Sequence, residues 1–375
     1  MGKKETKTTS FGWLGVRTAC LWSLALFAII NCLLWLSANG DKGTSKDLWS
    51  GSGSIDLALS DLSALKERPN IVLLGSSLVM YPFWSMDKES NPFIGDIFHH
   101  HLSHTLESAL GRAGWKDPHV FNLAIFGQMV SDAYIYVSEF LQGNKRPDWL
   151  VLGIAPRDFS DYDLPAPMAT MTFKRIVGLS NLGRYAILYL PRWQEMADFI
   201  ASHTCFFYAK RWRLQHEVDG AIQKVYLKAM LTPTKPVCTK TEDQAGFMLS
   251  GSEKERWDNS LMEYRRRYRN IAQRDLSIQM GFLDRLLQTC RQRGIKVVVI
   301  SMPLTELNRS LLPLGFYDSF RKRIGEIANK PGVKFLDLGD SKDFLHEDFW
   351  DSTHLNHGGG HKLLRHLLPV LSPSS

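Results

Sequence analysis

The chain has 375 residues, 44% of them hydrophobic, with 45 Lys and Arg against 38 Asp and Glu for a formal net charge of +7, and five cysteines. This composition excludes a disordered chain and a small disulfide-built domain, and it leaves room for one large core with an insertion. The positive balance, contributed largely by the N-terminal tail and a central stretch, points to anionic lipid headgroups or an acidic polymer and not to nucleic acid.

In chain order, residues 1–17 read as a cytoplasmic tail carrying Lys3, Lys4, Lys7 and Arg17. Residues 18–38 follow as an apolar run in which Asn31 is the most polar interruption, long enough to cross about 30 Å of hydrocarbon. The basic tail and the nearly balanced charge after the run predict a single-pass anchor with a cytoplasmic N-terminus and the remaining chain outside. A cleaved signal peptide is the competing reading, disfavoured by the length of the run and by Leu36-Ser37-Ala38 as a cleavage tripeptide. Residues 39–61 read as a juxtamembrane linker, with the domain occupying 62–375.

Within that domain, strands are predicted at Ile71–Leu74, Val120–Leu123, Trp149–Gly153, Lys296–Ser301 and Lys334–Leu338. Helical patterns lie at Gly95–Ala113, Val130–Leu141, Asn270–Arg293 and Ser319–Lys330, with a last helix after Gly358-Gly359-Gly360. Strand and helix alternate, and the strands are apolar without a period of two, so an α/β fold with a parallel sheet covered on both faces is expected. Residues 160–255 form an inserted helical cap, dense in aromatic residues such as Tyr185, Trp193, Phe206 and Trp212. It reads either as packing on the core or as touching a membrane or a membrane partner. Arg265-Arg266-Arg267 reads as a solvated face, with acidic-polymer binding as the alternative. A Cys205–Cys238 bridge and an unpaired buried cysteine stand as alternatives.

Three residues carry the chemistry. Ser77 follows the first apolar strand at its carboxyl edge, where open α/β sheets place their sites, although serine is also an ordinary turn residue. Asp351 and His354 lie three apart near the C-terminus, a spacing that lets a carboxylate orient the imidazole that deprotonates a serine. His99, His100, His101 and His104 invite a metal reading, but consecutive residues cannot face one site on a helix, and no metal site is expected.

The motifs Gly75-Ser76-Ser77, Asn122-Leu123-Ala124-Ile125-Phe126-Gly127 and Asp351-Ser352-Thr353-His354 resemble the blocks of the SGNH (GDSL-like) hydrolase superfamily, over roughly residues 70–160 and 295–370. The resemblance implies a flavodoxin-like, three-layer parallel-sheet sandwich, a catalytic triad of Ser77, His354 and Asp351, and an oxyanion donor in Gly127 assisted by the N–H of Ser77. Ser76 stands where the superfamily has Asp and is expected to brace the turn. Where the superfamily has Gly-x-Asn-Asp, this chain reads Ile154-Ala155-Pro156-Arg157-Asp158-Phe159, so the asparagine donor is missing. Arg157 and Asp158 then act on the oxyanion or substrate, or form a structural pair at the sheet edge. The departure resembles the divergent branch that modifies envelope polymers, such as the D-alanine transfer and alginate O-acetylation proteins.

The resulting expectation is a serine acyltransferase or esterase acting on O-acyl groups of an envelope or secreted polysaccharide, without a cofactor. Its partners would be an acyl donor, a polysaccharide or lipid acceptor and, by resemblance, a multi-pass membrane O-acyltransferase. A non-catalytic scaffold or glycan-binding subunit and a lipase-like hydrolase remain as alternatives.

Overall fold

The computed structural model describes residues 12–40, 52–211 and 251–371. The chain divides into two compact units, one containing residues 1–44 and 178–239 and the other residues 45–177 and 240–375.

The first unit contains α1 (Gly12–Gly40), in which Thr18–Ser37 has a mean hydropathy of 2.2 and is long and apolar enough to cross a membrane. Its Leu, Ile, Phe and Trp side chains are exposed nearly all round, from Leu21 and Trp22 to Leu33 and Leu36. Part of the predicted cap belongs with this helix. Its helices are α7 (Leu182–Tyr189), α8 (Trp193–Thr204) and α9 (Phe206–Ala209). Phe207 stacks on Phe27 and Phe206 meets Trp35 edge-on, both at 6.0 Å. Asn31 is explained by the same contact, because its amide donates to Thr204 O at 2.7 Å and accepts from Phe206 N–H at 2.5 Å. Trp212 and Cys238 lie outside the described residues.

The second unit is an α/β domain on a five-stranded, all-parallel sheet. Its strands are β1 (Ile71–Leu74), β2 (Val120–Asn122), β3 (Trp149–Ile154), β4 (Lys296–Ser301) and β5 (Val333–Asp337), ordered β2-β1-β3-β4-β5. Ile71 pairs with Val120 on one side and Trp149 on the other. Every residue of β1 and β3 is buried. Successive side chains point to opposite faces, so both faces of the central strands are covered, and an unbroken apolar run is the sequence this position requires.

Two differences from the expected boundaries bear on function. Residues 52–64 form α2 (Ser52–Ala64), where a linker was expected as far as residue 61; Ile55, Ala58 and Leu62 repeat every three to four residues and are buried. Small and polar residues between them obscured this stripe. The second difference is α3 (Ser77–Ser90), which starts at the expected nucleophile. The expected helix at Gly95–Ala113 is confined to α4 (His104–Arg112), after a short 3-10 turn at Ile97–His99.

The remaining elements support the site from several directions. They are α5 (Val130–Glu139), α6 (Met171–Ile176), α10 (Glu253–Arg267), α11 (Gln273–Gln292), α12 (Glu306–Arg309), α13 (Phe316–Ala328) and α14 (His357–Leu367). One continuous core joins Ile71 and Leu73 of β1 to α3, α4 and α14, whereas α11 packs on both α5 and α13. At roughly 25 cal/mol per Å² of buried apolar surface, this core is the main force holding both ends of the chain in one site.

Candidate active site

Between β1 and β3 the order of connections reverses, because the chain leaves β1 for β2 on one side and returns to β3 on the other. In open α/β sheets the crevice at such a reversal lies at the carboxyl ends of the strands. Ser77 stands there, three residues beyond the end of β1 and at the first position of α3. Gly75 makes the turn feasible. Its φ is +147°, and a Cβ at that residue would lie 2.6 Å from Gly153 O on β3. The backbone therefore turns towards α3 only where a side chain is missing.

His354 and Asp351 arrive from the other end of the chain, in the loop between β5 and α14. Ser77 Oγ lies 2.9 Å from His354 Nε2, and His354 Nδ1 lies 2.7 Å from Asp351 Oδ2. Asp351 Oδ1 accepts from the Thr353 and His354 N–H groups at 2.8 and 2.9 Å, so this carboxylate both folds the turn and orients the ring. Burial alone would raise the Asp351 pKa, but the His354 charge and these hydrogen bonds outweigh it and hold the carboxyl below its usual range. Asn356 caps α14 by accepting from Gly359 N–H at 3.1 Å, as expected of a local cap.

Residues without a sequence signal fix this loop. Ser260 of α10 meets Ser352 Oγ at 2.6 Å, and Thr305 donates to Ser352 O at 2.6 Å. Arg256 lies over the Trp350 ring, and Trp257 stacks on His346. Tyr81, one helical turn after Ser77, lies against the His354 ring at 4.4 Å between centroids. Its i+4 spacing from the serine is the signal that could have identified it. Burial, followed by the nearby Asp351 charge, pushes the Tyr81 hydroxyl pKa far up, so Tyr81 stays neutral beside the ring. An apolar groove of about 340 Å³ adjoins this cluster, bordered by Tyr81, Trp84, Trp350 and Leu355.

Gly127 adopts φ +71°, which favours glycine, and its N–H has no acceptor among the described residues. The loop carrying it is tied to the serine turn by Ile125 N–H donating to Gly75 O at 3.0 Å. The Ser77 N–H, at the first position of α3, has no intrahelical acceptor. Arg157 and Asp158 are both buried, and they are tied into the protein by several contacts. Arg157 pairs with Asp161 at 2.9 Å and with Asp158 at 3.5 Å, and it donates to Gln128 O at 3.2 Å. Its Nη2 would lie 3.3 Å from a Cβ on Gly127. Asp158 accepts from Ala155 N–H at 2.9 Å and faces the Ser76 side chain. Burial outweighs these partners and lifts its pKa to about 6.

The arginine run differs from a wholly solvated face. Arg266 pairs with Asp163 at 2.8 Å, and Arg267 pairs with Glu263 at 2.5 Å and with the buried Asp161. The histidine cluster disperses. His99 bonds Asp96, His100 bonds the buried Asp87, and His101 bonds Asn122 O. Among the described residues no group of His, Cys, Asp and Glu is arranged to hold a metal ion.

A serine hydrogen-bonded to an imidazole, itself bonded to a buried carboxylate, is equipped to activate the serine oxygen as a nucleophile. A comparison with the curated proteins finds no match. The model of a family described as a protein of unknown function (DUF1574) matches residues 59–371, which include every strand and all of the candidate site residues above, and the chain belongs to that family.

Proposed function

We propose that this protein is a membrane-anchored serine O-acyltransferase or esterase of the divergent SGNH type, with Ser77 as nucleophile, His354 as base and Asp351 as the residue orienting that base. The observation that carries the reading is the Ser77–His354–Asp351 chain, at 2.9 and 2.7 Å, assembled from opposite ends of the sequence at the sheet reversal. His354 takes the Ser77 proton as Oγ attacks an acyl carbonyl, and the N–H groups of Gly127 and Ser77 receive the developing oxyanion. Collapse expels the leaving group with the proton from His354 and leaves an acyl-enzyme. Water or an acceptor hydroxyl then releases the acyl group by the reverse sequence. The apolar groove beside Tyr81 receives the acyl donor, and Arg157 supports the Gly127 loop from behind.

Transfer to an envelope or secreted polysaccharide is favoured over simple hydrolysis by the membrane segment and by the missing asparagine donor. On this reading α1 anchors the chain with residues 1–17 in the cytoplasm and the α/β domain outside, folded as the three-layer sandwich of that superfamily. An apolar helix exposed over most of its circumference calls for lipid or an apolar membrane partner, and a multi-pass acyltransferase delivering the acyl group fits that role.

The test is intact-mass analysis of the full chain in detergent micelles after exposure to a serine-reactive fluorophosphonate. One adduct is expected in the wild type and none in Ser77→Ala. A folded wild-type protein that never labels would overturn the catalytic reading and favour a scaffold.

A further inference from the structure

The contacts that α8 and α9 make with α1 fall well inside its apolar span. That span ends at Ser37, so at about 1.5 Å per residue Asn31 stands about 9 Å, and Phe27 about 15 Å, short of its C-terminal end. Thr204 and Phe206 bond Asn31, and Phe207 stacks on Phe27. Chain held against those positions shares their depth. Where α1 lies in hydrocarbon, the end of α8 and the start of α9 lie beside it.

The segment is built for that depth. From Phe199 to Ala209 there is no Asp, Glu, Lys or Arg. Uncharged stretches of about 10–14 residues are too short to cross a bilayer, and they either sit in a protein core or enter the membrane and return. A core position does not fit Ile200 and Phe207, which are 43% and 40% exposed. In hydrocarbon no water is at hand, so polar groups must be bonded within the protein. Ser202 donates to Phe199 O at 2.7 Å, Thr204 donates to Ile200 O at 2.8 Å, and His203 Nδ1 lies 2.8 Å from Phe199 O. The break between α8 and α9 at Cys205 frees a carbonyl and an N–H, and Asn31 takes both, donating to Thr204 O at 2.7 Å and accepting from Phe206 N–H at 2.5 Å. Trp35 Nε1 adds a bond to the same Thr204 O at 3.3 Å. Irregular backbone is tolerated at membrane depth only when it is bonded to protein in this way. Charge returns at the two ends of the stretch, which are tied together. Asp198 accepts from the Tyr208 hydroxyl and from Arg211 at 3.2 Å, and the Arg211 guanidinium lies over the Tyr208 ring. Tyr and Arg are residues that suit the membrane–water boundary.

We infer that residues 199–209 form a re-entrant loop that enters the half of the bilayer adjoining the C-terminal end of α1, with Ile200 and Phe207 facing lipid chains and Asn31 clamping the turn of the loop to α1. The inference rests on α1 as the membrane anchor and is independent of the chemistry at Ser77. The protein then holds the bilayer through two segments distant in sequence.

The experiment uses the full chain in vesicles of phosphatidylcholine and phosphatidylglycerol, with one spin label per molecule and the other cysteines replaced by Ala. Labels are placed on the native Cys205 and on Ile200→Cys, with Leu33→Cys in α1 and the fully exposed Leu314→Cys in the α/β domain as references. Power saturation compares oxygen, which dissolves in lipid, with a water-soluble nickel chelate. Labels at 200 and 205 are expected to be open to oxygen, shielded from nickel, and within about 5 Å, one helical turn, of the depth read at 33, whereas the label at 314 is open to nickel. Asn31→Leu keeps α1 apolar and should expose the label at 205 to nickel while the label at 33 keeps its depth, with thermal unfolding reporting that the α/β domain is folded. Nickel access at 200 and 205 with the label at 33 still shielded overturns the loop and leaves the anchor intact. Nickel access at 33 overturns the anchor and the loop together. Shielding of 200 and 205 from both reagents, as in a protein core, overturns the lipid contact, and an unchanged depth at 205 in Asn31→Leu overturns the clamp.

Discussion

Asp351 serves two purposes, since one oxygen closes the turn that carries His354 and the other fixes the imidazole. Replacing it tests both. Asp351→Asn keeps the turn acceptor but presents an amide to Nδ1, favouring the wrong tautomer, so turnover of an activated ester should fall by about 10⁴-fold with the fold retained. Asp351→Ala removes the acceptor from two buried N–H groups as well, and should lower unfolding stability by about 2–4 kcal/mol in a urea titration. The two variants therefore separate catalysis from folding at one residue. The depressed Asp351 pKa also gives a direction for acid. A carboxyl held below its unfolded value contributes stability that is present above that value and is lost as pH falls through the folded one.

At the scale of elements, the N-terminus of α5 behaves in the opposite way. Asp132 caps this helix through Met129 N–H, yet its burial outweighs that bond and raises its pKa to about 7. A carboxyl with a raised folded pKa binds its proton more tightly in the folded state, so its contribution to stability falls as pH climbs from about 4 to about 7 and is flat above. At about 1.36 kcal/mol per pH unit the slope amounts to at most about 4 kcal/mol across that window. Asp132→Asn keeps the cap and removes the titrating proton. Thermal unfolding between pH 5 and 8 should therefore be flatter in the variant, with its stability at pH 8 at or above that of the wild type; an unchanged pH profile would exclude Asp132 as the source. The helix α2 offers a second test at this scale. A chain beginning at 52 keeps Ile55, Ala58 and Leu62, whereas one beginning at 62 loses the first two and the Asp56–Arg175 pair at 2.6 Å. The shorter chain should unfold at about 2–4 kcal/mol lower stability, the value of two buried side chains.

For the whole molecule, the exposed apolar surface of α1 has the widest consequence. With Leu21, Trp22, Leu24, Leu33 and Leu36 each more than half exposed, the helix is insoluble in water without lipid or an apolar partner. The full chain should stay in the membrane fraction through alkaline carbonate extraction, and a chain lacking residues 1–40 should be released by it. Protease added to intact cells should digest the α/β domain if it faces outward, whereas complete protection would reverse the proposed orientation. The aromatic residues of α9 pack on Phe27 and Trp35 in the second half of the same helix, which gives this part of the aromatic-rich insertion a place beside α1.

Much of this was legible from one dimension. β1 and β4 match their expected bounds, because parallel strands buried on both faces, as β1 is throughout and β4 is beyond Lys296, must be continuous apolar runs. Ser77, Asp351 and His354 were legible because each sits in a short local pattern whose spacing is set by backbone geometry. The helix long and apolar enough to cross a membrane was legible because length and hydropathy alone define it. The tertiary structure decided what local pattern cannot encode. Arg267 reaches the local Arg157–Asp161 pair from a distant part of the chain, and Ser260 and Thr305 reach the loop of Asp351 and His354 through space, so no window of sequence contains these contacts.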